Sequence, residues 1–279
     1  MISTSRLLHI NSATRTTGTN ENFTHAFNLS PDEHYTHVVV LSASIPVSYY
    51  LVQDGFNTFE LKEGASTVTI TVEPGNYSQK SFSTVVTALL NTNSPHGYTY
   101  TIAMNNAFNN VNNGKFYFTV SNNSGTQPQF ILGENLYEQF GFDKNASPQF
   151  AADALVSTNV INFIPEQTLY ICSDIVKNMH NNNTSILQPI YASNTQPFSC
   201  VTYDCRDLEA YSQQINPTKT NSLTILLQNE EGRTMNLNGR NMLLTILLYR
   251  QENFYNIAKN YMKYKLMSEN QNDNIVSQN

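Results

Sequence analysis

Tryptophan is absent and charge is scarce in this chain of 279 residues. Charged side chains make up 13% of it, about half the share usual in soluble domains. The net charge is −6, which argues against nucleic acid bound over the whole surface, since that needs a basic footprint. Cysteine is nearly absent: Cys172, Cys200 and Cys205 are an odd number and do not read as a disulfide framework. The longest apolar runs, such as Met242 to Tyr249, are strand-sized and too short to span a bilayer. No apolar stretch of signal-peptide form opens the chain, so synthesis and folding in a reducing cytosol are expected. There is no phosphate-binding loop, no Gly-x-Ser-x-Gly elbow and no His-Glu-x-x-His pair. No enzymatic activity, catalytic residue, metal or cofactor is therefore expected.

Asn, Ser and Thr stand where charge is missing. Such a surface is polar but weakly self-repelling, which suits packing against neighbours. The length fits one large domain or two modest ones. Residues 1–20 are Ser-, Thr- and Asn-rich, with Arg6 and Arg15 and no acid before Glu21. They read as an extended N-terminal arm that orders only on a neighbouring subunit, with Arg15 making the fixed contact through its planar fork. Residues 21–55 read as strands. Phe23, His25 and Phe27 alternate, and the β-branched run from Val38 predicts a strand buried on both faces until Pro46 ends its pairing.

The rhythm changes over 56–150, which reads as a compact α+β unit. Val68, Ile70 and Val72 mark a strand. Ser78 is a candidate N-cap for a helix whose stripe is Phe82, Val85, Val86, Leu89 and Leu90. Asn113-Gly114 is a type I′ hairpin signal between two strands. Residues 151–250 read as strands again: Ser157–Phe163, Leu169–Val176, Ile186–Ala192, Phe198–Thr202, Glu209–Ile215, Leu223–Leu227 and Met242–Tyr249. Strands on either side of an α+β insertion point to a mainly β fold, a single jelly-roll with the small unit inserted between early strands. Residues 251–279 read as a tail, helical over Phe254 to Met267 and polar beyond.

Candidate chemistry is sparse. The six histidines are scattered and offer no set of metal ligands. Cys200 and Cys205 flank acids in "CVTYDCRDLE", which reads as a strand–turn–strand with buried free thiols. A jelly-roll glycosidase would need an acid pair and, usually, Trp and Tyr for sugar stacking. The tyrosines sit mainly on strand patterns, where they pack.

The ordered segments "INSATRTTGTNENFTHAFNL", "VVVLSASIPVSYYLV", "GFNTFEL", "TVTITVEPGNYS", "GKFYFTVS" and "LYEQFGFD" together resemble the minor capsid (penton) proteins of virophages, polinton-like viruses and related large DNA viruses of eukaryotes. The resemblance covers roughly residues 7–145. It implies a single jelly-roll subunit of a homopentamer at each icosahedral vertex, touching double jelly-roll major capsid proteins, with the insertion facing outward. Localisation is then the virion, after synthesis in the host cytoplasm. Asn11, Ser12 and Arg15 match the N-terminal motif, and Ile45, Pro46 and Ser48 the strand-end motif. All six become candidate inter-subunit contacts. Gly75, Asn76, Tyr77 and the Gly141-Phe142 pair match the bounds of the insertion helix region. The alternative is a receptor- or glycan-binding spike or fibre-type module, with the insertion meeting a host receptor.

Overall fold

The computed structural model describes residues 2–28, 33–104, 111–176, 186–192, 196–215 and 221–251. The tail beyond Gln251 lies outside them, and with it the expected helix over Phe254 to Met267. The chain divides into two compact units, a split unit of Met1–Ser48 with Thr168–Asn279 and an inserted unit of Tyr49–Gln167. The strands are β1 (Ile2–Asn11), β2 (Thr17–Gly18), β3 (Asn22–Ala26), β4 (His37–Pro46), β5 (Thr58–Glu63), β6 (Ser66–Thr71), β7 (Thr99–Ala103), β8 (Tyr117–Ser121), β9 (Gln129–Ile131), β10 (Ala154–Val156), β11 (Thr168–Ser173), β12 (Ile186–Tyr191), β13 (Cys200–Asp204), β14 (Gln213–Gln214), β15 (Ser222–Gln228) and β16 (Leu243–Gln251). The helices are α1 (Gln79–Asn93), α2 (Tyr137–Phe140) and α3 (Leu208–Tyr211).

In the split unit, one sheet has the order β1-β16-β4-β13, with β14 also on β4, and the other has the order β12-β11-β15-β3-β2. Setting aside the two short strands β2 and β14, eight strands remain. In chain order, the first, eighth, third and sixth form one sheet, and the fifth, fourth, seventh and second form the other. That is the wiring of a jelly-roll. Each sheet buries one face: Leu8, Ile10, Ile45, Leu244, Ile246 and Leu248 in the first, and Phe23, Leu169, Ile171, Leu223, Ile225 and Leu227 in the second. Val38, Val39 and Val40 are all fully buried, as the β-branched run of a central strand predicts.

The opening residues differ from expectation. Ile2–Asn11 is no free arm but a strand, paired with β16 from Ile2↔Gln251 to Asn11↔Leu243. The physical reason is composition. Among its described side chains, only Leu8 and Ile10 point inward, and the strand draws its order from a partner some 240 residues away in sequence, a separation at which loop closure costs only slowly more. β1, β3 and β4 therefore all precede the insertion. Two later expectations also change. Ser157–Phe163 is irregular, with the short β10 just before it, and Glu209–Ile215 is divided between α3 and β14.

The inserted unit holds two three-stranded sheets, β10-β8-β7 and β6-β5-β9, with α1. Ser78 caps α1 as expected, in a reciprocal pair with Ser81. Phe82, Val86 and Leu90 of its stripe are fully buried, while Val85 and Leu89 are partly so. Phenyl rings cluster within the core, beside Val, Leu and Ile side chains. Phe82 meets Phe116, Phe140 and Phe163, and Phe118 meets Phe130, Phe140 and Phe142. Strands β7 and β8 pair as a hairpin from Thr99↔Ser121 to Ala103↔Tyr117. The Asn113-Gly114 signal therefore lies inside a longer connection, with only Gly114 at positive φ (74°). Gly141 is irreplaceable on steric grounds: its φ is 73°, and a Cβ there would stand 2.7 Å from the Asn159 carbonyl oxygen.

Candidate assembly surface

Five of the six candidate contact residues sit at one end of the first sheet, where β1 and β4 finish and β13 and β16 begin. The segment Leu237–Met242 joins them. Asn11 accepts from the Ala13 amide at 2.9 Å and so caps the short turn after β1. Ser12 is fully buried. Its amide donates to the Met242 carbonyl at 3.1 Å, and its Oγ accepts from the Met242 amide at 3.0 Å. Ser48 Oγ donates to the Leu237 carbonyl at 2.6 Å, and Asn238 Nδ2 donates to the Ser48 carbonyl at 2.6 Å. Asn238 and Gly239 take φ of 49° and 79°, the left-handed pair that an Asn-Gly turn favours. Pro46 pairs with Cys200.

The expected role of these residues changes here. Ser12 and Ile45 have no exposed surface, so their side chains hold the subunit itself together. Arg15 turns its fork inward: Nε donates to the Gly18 carbonyl at 2.7 Å, and Nη1 to the Ser12 carbonyl at 2.8 Å and Asn20 Oδ1 at 2.7 Å. It closes its own loop without a neighbour. Asn11, Arg15 and Pro46 keep partial exposure.

Next to this end stands a residue that sequence reading placed inside a strand. Phe198 is 80% exposed and sits at φ 67°, a conformation that costs a bulky residue roughly 1–3 kcal/mol. Its amide donates to the Val47 carbonyl at 2.8 Å, and the Ser199 carbonyl accepts from the Val47 amide at 2.8 Å. Ser199 Oγ closes the turn on the Gln196 carbonyl at 2.5 Å. The signal in the sequence was Pro197, which has no N–H to donate and so cannot continue a paired strand interior. A second unread feature is a cavity of about 440 Å³ beside β12, lined by Tyr170, Tyr191 and Tyr211 with Leu187, Gln188 and Pro189 among others. Here tyrosines read as packing residues keep exposed surface: Tyr191 is 72% and Tyr211 44% exposed.

No family model matches the sequence, and a search of curated proteins finds no match. Among solved structures, the chain is similar to the mavirus penton protein. The two share 11% sequence identity at a TM-score of 0.42, over 88% of this chain and 99% of that one. The jelly-roll assignment stands on the strand order itself.

Among the described residues, no three metal-ligating side chains come together, and no helix is long and apolar enough to cross a membrane. The "CVTYDCRDLE" segment is β13 and a turn into α3, with Cys200 exposed rather than buried. Cys172 is buried, and burial pushes its thiol up to about 11, which leaves it protonated and unreactive.

Proposed function

We propose that this chain is a structural, non-enzymatic capsid protein that forms a homopentamer at icosahedral vertices and packs against double jelly-roll major capsid proteins. One observation carries the reading: an eight-strand jelly-roll whose third and fourth strands, β4 and β11, are separated by a unit with a core of its own. The resemblance of the ordered segments to virophage-type minor capsid proteins supports the same reading. A ring of identical subunits needs two different faces that meet and close. A weakly charged surface rich in Asn, Ser, Thr and Tyr can form such faces at low desolvation cost. Asn11, Arg15 and Pro46, which keep partial exposure, are the candidate contacts that remain available to a neighbour. The test is mass spectrometry of purified virions together with light scattering of the purified chain. Presence at minor stoichiometry and a fivefold mass are expected. Absence from virions would overturn the reading.

A second reading, recognition of a host receptor or glycan, is favoured by the separate core of the inserted unit. That core leaves the surface loops free to vary without cost to the jelly-roll. Residues 49–167, made alone and applied to host cells or a glycan array, are the test. Binding by the insert would add this role to the first.

A further inference from the structure

The loop before β13 presents Phe198 in a way that folding does not require. Its backbone is in the left-handed region, its ring is 80% exposed, and four hydrogen bonds around Val47, Gln196 and Ser199 hold the turn. A bulky apolar side chain held in a costly conformation and pointed at water has the character of a binding anchor, for which a rigid aromatic is well suited.

The same unit carries a place to receive it. The cavity beside β12 has a volume of about 440 Å³, ample for a phenyl ring and its neighbouring proline, and three tyrosines line it. No charged side chain lines it among the described residues, and Gln196, Pro197 and Phe198 carry no charge either. In a chain of net charge −6, two neutral surfaces of this kind match each other in charge. They can be buried together without stripping water from an ion.

The neighbouring strand edge narrows how a partner can bind. Among the described strands, β12 is the last of its sheet, and a sheet edge invites strand addition. Pro189 in its middle has no N–H to donate, and the Pro189 carbonyl already accepts from the Gln188 side-chain Nε2 at 2.8 Å. Recognition here works through side chains in the cavity.

Knob and groove lie at different places on the subunit. Cys200, two residues after Phe198, pairs with Pro46 at the end of β4, whereas Gln213 in the groove wall pairs with Val38 near its start. We infer that Phe198 of one copy inserts into the Tyr170–Tyr191–Tyr211 cavity of the next copy, giving the head-to-tail contact that closes a ring. The inference deepens the capsid reading and rests on its self-assembly.

The test uses the full chain in sedimentation or light scattering, with Phe198→Ala and the Tyr191→Ala/Tyr211→Ala double variant. All three substituted side chains are largely exposed or half-exposed, so folding, checked by circular dichroism, is expected to survive. Each variant should weaken self-association about tenfold or more. Mixed together, the two should form one-to-one pairs, because each retains one intact half of the contact. Wild-type assembly by Phe198→Ala would overturn the contact and leave the capsid reading standing. Loss of assembly on deleting 252–279, with Phe198→Ala unaffected, would give the cavity to the tail and equally overturn it. A wild-type chain that stays monomeric and is absent from virions would overturn both.

Discussion

At the scale of residues, the most constrained side chain is Glu63. It is fully buried in the inserted unit and accepts from Ser94 Oγ at 2.7 Å, the His96 amide at 2.8 Å and Tyr100 OH at 2.7 Å. This carboxyl ties the end of α1 and the start of β7 to β5, and burial together with Glu63 holds the Tyr100 hydroxyl well above its usual range. Glu63→Ala strands three donors at once. We expect a loss on the order of 3 kcal/mol in urea unfolding of the inserted unit, since each buried unsatisfied group costs about 1–3 kcal/mol. Nothing in the sequence around Glu63 marks it, because its partners lie about 30 residues on. Two histidines set a pH dependence. Burial holds the pKa of His25 and of His37 below the ordinary 6.5, and His25 Nδ1 is buried without a partner. A neutral imidazole is favoured in the fold, while the unfolded chain takes up protons below about 6.5. Stability is therefore full above that pH and falls as pH drops below it. Urea midpoints measured from pH 7.5 to 5.5 should decline for the wild type and decline less for a His25→Gln/His37→Gln variant.

At the scale of elements, α1 was legible because its stripe and its cap are local. Phe82 packs against Phe116, which lies just before β8, and against Phe140 of α2. Phe82→Ala should cost about 3–5 kcal/mol, read as a lowered midpoint for the inserted unit with the jelly-roll unchanged. β1 is the opposite case. Its residues look like a soluble leader, yet it covers the whole length of β16. Deleting residues 1–11 should expose that strand and lower the soluble yield sharply, where removal of a true arm would leave it intact. The measurement is soluble fraction after expression. The Glu209–Ile215 stretch was misread because alternation over a few residues cannot separate a strand from one helical turn plus a bridge. Asp207 decides the matter by capping α3 with its carboxylate at 3.0 and 3.1 Å from the Glu209 and Ala210 amides.

At the scale of the whole molecule, two units with separate cores predict two separable unfolding reactions. Residues 49–167 made alone should unfold cooperatively, with the same urea midpoint that the inserted unit shows in the full chain. Thiol labelling reports on the other unit. Cys200 is exposed and should react first. Cys172, at 2% exposure and with its thiol pushed up to about 11, should react only when the jelly-roll opens. Labelling of Cys172 across a urea series then follows that unit's own stability.

Sequence alone determined the features whose causes are local: the doubly buried run of β4, the capped and striped α1, and the interruption of a β pattern by an α+β one. The resemblance in motif order pointed to the jelly-roll before any pairing was visible. Only the tertiary structure decided which strands are neighbours, because hydrogen bonds between strands carry no mark in either strand's own sequence. It placed Ile2–Asn11 beside Leu243–Gln251. It turned Arg15 onto its own loop and buried Ser12 and Ile45 inside the subunit. It also left Phe198 facing water, an exposure set by the turn that holds it rather than by the residue's own preference.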